Sequence, residues 1–339
     1  MADMKDERIQ MAHGSGGRLS HDLVKDIMWP AFANPILGEM HDGAKLDIKG
    51  TRLAFSTDSF VVKPLFFNGG DIGKLAVCGT VNDLAMTGAI PLYLSAGFVI
   101  EEGFSIADLE RIVTSMQRAA AEAGVEIETG DTKVVEKGAV DGIYINTAGI
   151  GAIMDGVDIS AHRVEAGQDV ILSGYIGDHA LAVMSERHGL VLPEAAASDC
   201  APLNGLVKQL LEAVPKIAVL RDPTRGGLAT TINEIAAEAK VGIMLEEQAI
   251  PVRPAVQAAC DILGYDPLYM ANEGKMIIFA DRQFTAKILE VMHAHPYGRA
   301  ACVIGKVSAE PRSKVGLKTA IGGIRLIDML VGDQLPRIC

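Results

Sequence analysis

A cysteine stands last in this chain, in Pro336-Arg337-Ile338-Cys339, and a thiol can attack a carbonyl or phosphoryl centre and hold the product covalently. The polar, glycine-led stretch before it, Gly332-Asp333-Gln334-Leu335, predicts a flexible arm. From Asp333 to Cys339 a fully extended arm reaches roughly 24 Å at about 3.4 Å per residue, enough to enter a site on a neighbouring domain. Three acids could build such a site. Asp58 ends the strand-like run Leu53-Ala54-Phe55-Ser56-Thr57, Asp83 is the only acid in the apolar segment 71–88 after its opening Asp71, and Asp131 follows Gly130 at the end of the short strand-like run 125–129. A buried carboxylate costs several kcal/mol unless it is paired or on a metal, and clustered carboxylates hold Mg²⁺ for phosphoryl transfer. A turn-forming Asp or a partner Arg or Lys is the plainer reading of each acid taken singly.

Phosphate needs donors, and two glycine-rich stretches offer backbone N–H groups. His13-Gly14-Ser15-Gly16-Gly17, followed by Arg18, has the composition of an anion-binding nest or of a plain flexible loop. Asp222-Pro223-Thr224-Arg225-Gly226-Gly227 opens a helix, as an anion site on orphan N–H groups or as a strong cap. The first lacks the spacing of a P-loop and of a dinucleotide fold. Lys133, Arg225 and the glycine loops can meet phosphate, and Glu273, in Asn272-Glu273-Gly274-Lys275, or Lys133 is the candidate proton acceptor.

The elements that must position these groups alternate between strands and helices. Asp71 to Gly88 predicts a helix capped by Asp71, apolar almost all round and therefore buried, with Asn82 beside Asp83 and Gly79 opening room one turn back. Residues 90–100 read as a strand and 105–123 as an amphipathic helix from Ser105 to the stop at Gly124. Residues 125–129 form a short strand, and 142–154 a long, nearly uncharged strand expected to be covered on both faces. A boundary at 155–168 separates this half from strands at 169–174, 217–220, 276–280, 301–307 and 323–330 and helices at 177–188, 203–213, 228–239 and 283–294. The expectation is an α/β (α+β) fold with an ATP- and metal-binding domain at 1–156, an α/β domain at 168–331 and a mobile tail at 332–339.

Composition narrows the function. The 339 residues are 49% hydrophobic, enough for two cores, and a net charge of −12 without a basic block argues against nucleic acid or an anionic membrane as partner. No stretch reaches the ~20 apolar residues of a membrane span, and the start is no signal peptide. Cysteines at 78, 200, 260, 302 and 339 form no metal cluster and read as free thiols in a reducing cytoplasm. Thirty-six glycines against 5% aromatics suit backbone cradling a ligand.

The ordered motifs His13 to Gly17, Thr57-Asp58-Ser59, Asn82 to Ala89, Gly130-Asp131-Thr132 and Asp222 to Gly227 resemble the aminoimidazole-ribonucleotide-synthetase-like (PurM-like) ATPases over nearly the whole chain. Within them, Ala271-Asn272-Glu273-Gly274 and the terminal Pro-Arg-Ile-Cys are similar to the HypE family of carbamoyl dehydratases of [NiFe] hydrogenase maturation. The resemblance implies a homodimer whose N-terminal domains pair into a β-barrel. It implies Mg²⁺ on Asp58, Asp83 and Asp131, and ATP on Gly14, Gly16, Gly17, Asp58, Asn82, Asp83, Thr132 and Arg225. It implies further that the carbamoyltransferase HypF loads Cys339, that ATP-driven dehydration yields a thiocyanate, and that cyanide passes to iron on a HypC–HypD scaffold. A selenophosphate synthetase-like or small-molecule-kinase-like phosphotransferase is the alternative, although such synthetases carry a reactive Cys or selenocysteine near the N-terminus, and residues 1–18 have none.

Overall fold

The computed structural model describes residues 9–14, 16–39, 41–189 and 197–330, so the tail with Cys339 lies outside the described residues. After a 3-10 turn at Met11–Gly14, helices α1 (Arg18–Leu23) and α2 (Trp29–Phe32) lead into a five-stranded sheet. Its strands are β1 (Ala44–Ile48), β2 (Thr51–Phe60), β5 (Ala89–Glu101), β6 (Glu126–Val135) and β7 (Ile143–Ile153), in the order β1-β2-β7-β5-β6. A small ribbon, β3 (Phe66–Phe67) and β4 (Gly70–Asp71), feeds helix α3 (Ile72–Met86). Helix α4 (Ile106–Ala123) follows β5.

α3 starts where predicted, because the Asp71 carboxylate accepts from the N–H groups of Gly73 and Lys74 at 2.8 and 3.0 Å. It lies close on the sheet through Gly79, where a Cβ would come within 2.7 Å of the Phe60 ring. Thr147 Oγ1 of β7 donates to Ala76 O at 2.7 Å and ties helix to sheet. Helix α4 runs from its Ser105 cap to Gly124 in the left-handed conformation, also as predicted.

Three sequence expectations are corrected. β6 runs on to Val135, so Asp131 stands inside a strand, and β2 runs on to Phe60, so Asp58 does too. β7 alternates strictly between buried and more open positions, so only one face is covered. Its lack of charge reflects an apolar open face, where Phe55, Tyr93 and Ile150 are 42, 46 and 39% exposed.

The second half holds a seven-stranded sheet of order β14-β13-β10-β12-β8-β11-β9. The strands are β8 (Asp169–Leu172), β9 (Val219–Arg221), β10 (Gly242–Glu246), β11 (Ile277–Ala280), β12 (Cys302–Ser308), β13 (Lys314–Lys318) and β14 (Ile324–Ile327). Helix α7 (Gly227–Ala239) covers one face, while α6 (Asn204–Ala213) and α9 (Arg282–Ala294) cover the other. Helices α5 (Asp178–His188) and α8 (Pro254–Leu263) pack into the core around α3. α3 is thus shared: Ala85 and Met86 join the core of α6 and α9, and Leu75 and Ala76 join that of α5. The junction between the halves is therefore filled with side chains, and α3 lines the cleft beside it through Gly79 and Asp83. No helix among the described residues is long and apolar enough to cross a membrane.

Candidate functional site

A cleft of about 480 Å³ lies where β2, α3, the N-terminal glycine loop, the 221–225 loop and the 272–275 turn converge. Its floor is acidic. Asp58 and Ser56 sit on the covered face of β2, and Ser56 Oγ donates to Asp83 Oδ2 at 2.7 Å. Asp83 is held well above the usual carboxylate range, first by burial and then by the charges of Asp222, Asp42 and Asp58 around it. Burial pushes Asp222 up to about 6 and raises Asp58, against the pull of Arg221 and Arg225 respectively. Arg221 answers this charge from beneath, with Nε 2.7 Å from Asp42 Oδ1 and a terminal nitrogen 3.1 Å from Glu234 Oε2. His41, next to Asp42, is driven down to about 3 by burial and by the nearby cations Arg221 and Lys45. It is a neutral imidazole at physiological pH.

The walls supply donors. Gly16 lies against the 225 loop, where a Cβ would meet Arg225 Cβ at 2.5 Å, and Arg225 reaches to 3.7 Å from Asp58 Oδ1. Gly14 and His13 line the same wall. Gly17 is turned away from the cleft, toward the end of the described chain: a Cβ on it would meet Leu330 O at 2.4 Å, and Arg18 N donates to that oxygen at 2.9 Å. The last described residue before the tail is therefore fastened beside the glycine loop.

Glu273 lines the cleft although it is only 4% exposed. Burial, and after it Cys200, Asp222, Asp58 and Asp199, raise its carboxyl well above the ordinary range. Asn82, by contrast, turns away from the cleft. Its Nδ2 donates to Ala201 O and Glu273 O at 3.1 and 3.3 Å, and its Oδ1 accepts from Leu203 N at 2.7 Å, so it brackets α3 to the second half.

Asp131, Thr132 and Lys133 are not brought to this cleft within one chain. Asp131 pairs laterally with Gly97, and Gly97 with Asn146, on the open face of the sheet. That is the face opposite Asp58, three strands and roughly 14 Å across at about 4.8 Å per strand. There Lys133 Nζ lies 2.9 Å from Asp131 Oδ2 on the edge strand. Sequence reasoning missed Asp42 as a site residue and took Asp222 only as part of a loop. The signal for Asp42 was available, since His41-Asp42-Gly43 enters β1 as a polar island, and glycine next to an acid is what marked Asp131.

The four acids fit a hard dication. Among the described residues no three His, Cys, Asp or Glu side chains are already gathered at ligand distance. Yet Asp42 Oδ2 is buried without a hydrogen-bond partner among them, and mutual repulsion raises the affinity of these carboxyls for any positive charge, a proton or a metal.

Comparisons with known proteins show the family and the fold. The model of the AIR synthase related protein N-terminal domain matches residues 40–153, and that of the C-terminal domain matches residues 165–318. Carbamoyl dehydratase HypE of Azotobacter vinelandii is 50% identical over 337 residues, 99% of each chain. A HypE solved in complex with ATP is 49% identical, over 98% of this chain and 100% of that one, with a TM-score of 0.83. A HypE–HypF complex contains a chain 48% identical, over 91% of this chain and 99% of that one, with a TM-score of 0.87. The chain belongs to the HypE family of hydrogenase maturation proteins, on the AIR synthase related fold.

Proposed function

We propose that this protein uses ATP to dehydrate a carbamoyl group on its own Cys339 to a thiocyanate, supplying cyanide for the iron of [NiFe] hydrogenase. The observation that carries the reading is the fastening of Leu330 to the glycine loop of an acid-floored cleft. Cys339 lies nine residue steps beyond Leu330, a reach of at most roughly 31 Å at about 3.4 Å per residue, which keeps the thiol within range of that cleft.

The chemistry demanded is specific. Oxide is a poor leaving group from carbon, so the carbamoyl oxygen attacks the γ-phosphorus of ATP, and the P–O bond to ADP breaks. One N–H proton is lost to leave an imidate phosphate. Removal of the second N–H proton breaks the C–O bond, releases phosphate and leaves S–C≡N. Glu273 is the proton acceptor within the cleft, and its raised pKa makes its carboxylate a stronger base than an exposed one. Arg225 and the Gly14 N–H receive the triphosphate, Gly16, whose own N–H donates to Ser20 Oγ at 2.9 Å, brings the loop against Arg225, and Gly17 sets the tail root. Mg²⁺ would be held by Asp58 and Asp83 with Asp42 and Asp222 beside them, and it supplies charge neutralisation of the phosphates when bound.

The protein works as a homodimer in which Asp131, Thr132 and Lys133 of one copy complete the cleft of the other. What supports this is the distance of that strand from Asp58 within one chain and the apolar open face that Asp131 and Lys133 share with Phe55, Tyr93 and Ile150. Lys133 so placed is the second candidate for proton transfer. The tail is loaded by HypF and unloaded to HypC–HypD in the cytoplasm, where its thiol stays reduced, as do the free cysteines 78, 200, 260 and 302.

Mass spectrometry of the C-terminal peptide, after incubation with the carbamoyl donor system, tests the reading. The expected result is a carbamoyl adduct on Cys339 that loses one water only with ATP present. An adduct confined to other cysteines would sink it.

A further inference from the structure

The turn that carries Glu273 is held with unusual completeness by a residue outside the cleft. Glu273 N donates to Asp199 Oδ1 at 3.1 Å. The other carboxylate oxygen of Asp199 lies 3.1 Å from Lys275 Nζ, an ion pair in which the Asp199 and Lys275 side chains are only 3 and 13% exposed. Gly274 passes so near the Asp199 backbone that a Cβ would fall 1.8 Å from its carbonyl oxygen, which explains the glycine. From the other side, Asn272 Nδ2 donates to Pro223 O at 3.0 Å, and its Oδ1 accepts from Gly177 N at 2.8 Å. Asn272 thus joins the turn to the loop that bears Asp222 and Arg225, while Asp199 alone grips it by the amide of the reacting residue itself.

We propose that Asp199, seated by Lys275, is a positioning residue that aims the Glu273 carboxylate into the cleft for proton removal. The inference rests on the reading of Glu273 as proton acceptor. A carboxylate accepting from the backbone N–H of residue i, and paired with the ammonium of residue i+2, fixes both ends of that short arc, and the side chain of residue i inherits that rigidity. Burial of both charges explains why the pair is retained where an apolar pair would pack: an apolar residue at 199 would leave the Glu273 N–H unsatisfied.

The test compares two charge-neutral pairs in the full-length protein. D199N/K275M keeps an oxygen acceptor for the Glu273 amide, and D199L/K275M removes it. Single-turnover dehydration of the carbamoylated protein should fall on the order of 10- to 100-fold in D199L/K275M and stay within about threefold of wild type in D199N/K275M, with ATP affinity unchanged in both. Equal rates in the two, or a loss that tracks ATP affinity, overturns the proposal. D199A/K275M takes the place of the leucine variant should that one not fold. Independently of any variant, the Glu273 amide must exchange slowly with deuterium, and rapid exchange refutes the hydrogen bond. Glu273→Gln separates the two levels. Full dehydration in that variant refutes the role of Glu273, whereas its loss beside unaffected Asp199 variants refutes only the positioning role.

Discussion

Asp83 illustrates how much one residue can disclose. An acid in a helix apolar on every side has no stability reason to be there, and its surroundings make the anomaly worse, since Asp222, Asp42 and Asp58 all repel its charge. Asp83→Asn keeps the shape and the contact with Ser56 but removes that repulsion. The variant should melt at or above the wild-type temperature while Mg²⁺-dependent ATP turnover falls on the order of 100-fold. Unchanged turnover would remove Asp83 from the site. Asp222 gives a prediction with a definite pH window. Its folded pKa of about 6 lies above the ordinary Asp value, so its ionised form opposes folding at neutral pH, and that penalty fades as pH falls through 6. Without divalent cation, Asp222→Asn should therefore out-melt wild type at pH 7.5, with a gap that narrows as pH falls below about 6 and closes only near pH 4, around the ordinary Asp value of 3.8. His41 acts in the opposite sense, because its folded pKa of about 3 makes it lose stability below about 6.5. The difference between variant and wild type isolates Asp222, since His41 is common to both. A gap independent of pH would show that the Asp222 charge is compensated. Asp83 was legible because it broke a pattern, whereas Asp42 broke none: a His-Asp-Gly entry to a strand looks like any turn.

At the scale of elements, α3 does three things at once, and the sequence announced only the first. Its cap, its stop and its burial follow from Asp71, Gly88 and an unbroken apolar surface. That its far side is buried against the second half, through Asn82, could not be read from periodicity, because a helix buried all round has no polar face to reveal direction. Asn82→Ala should cost about 1–3 kcal/mol, since Leu203 N loses a buried acceptor and the carbonyls of Ala201 and Glu273 lose their donor, and it should leave ATP affinity near that of wild type. Denaturant midpoint and nucleotide titration measure the two separately. A collapse of ATP affinity at unchanged stability would instead put Asn82 on the nucleotide. The elements overlooked are short or punctuated. β1, β10 and β13 have five residues each, too few for alternation to stand out, and α8 starts on Pro254, which reads as a breaker unless taken as a first-turn proline.

For the whole molecule, the question is how a motif found in order along the chain can lie in two places in the fold. Asp58, Asp83 and Arg225 face one cleft, while Asp131 and Lys133 stand across the sheet on its open face, with Thr132 between them on the same edge strand. Sequence order gives no sign of this, because period-2 alternation tells which residues share a face but not which face is the site. The homodimer proposed above would resolve it, if its isologous interface brings the edge strand of each copy to the cleft of the other. Complementation tests this directly. Asp83→Asn and Lys133→Ala should each be nearly inactive as homodimers. When the two are unfolded together and refolded, half the dimers are mixed, and each mixed dimer has one cleft with an intact Asp83 from one copy and an intact Lys133 from the other. Activity should return to about a quarter of the wild-type level, the fraction of clefts left whole under random pairing of a two-fold dimer. If Lys133 instead serves its own chain, every cleft in the mixture still carries one defect, and activity stays at the level of the parents. A monomer in light scattering at micromolar concentration would argue the same way. Mixing therefore decides whether the GDTK strand belongs to the chain that carries it or to the neighbouring copy.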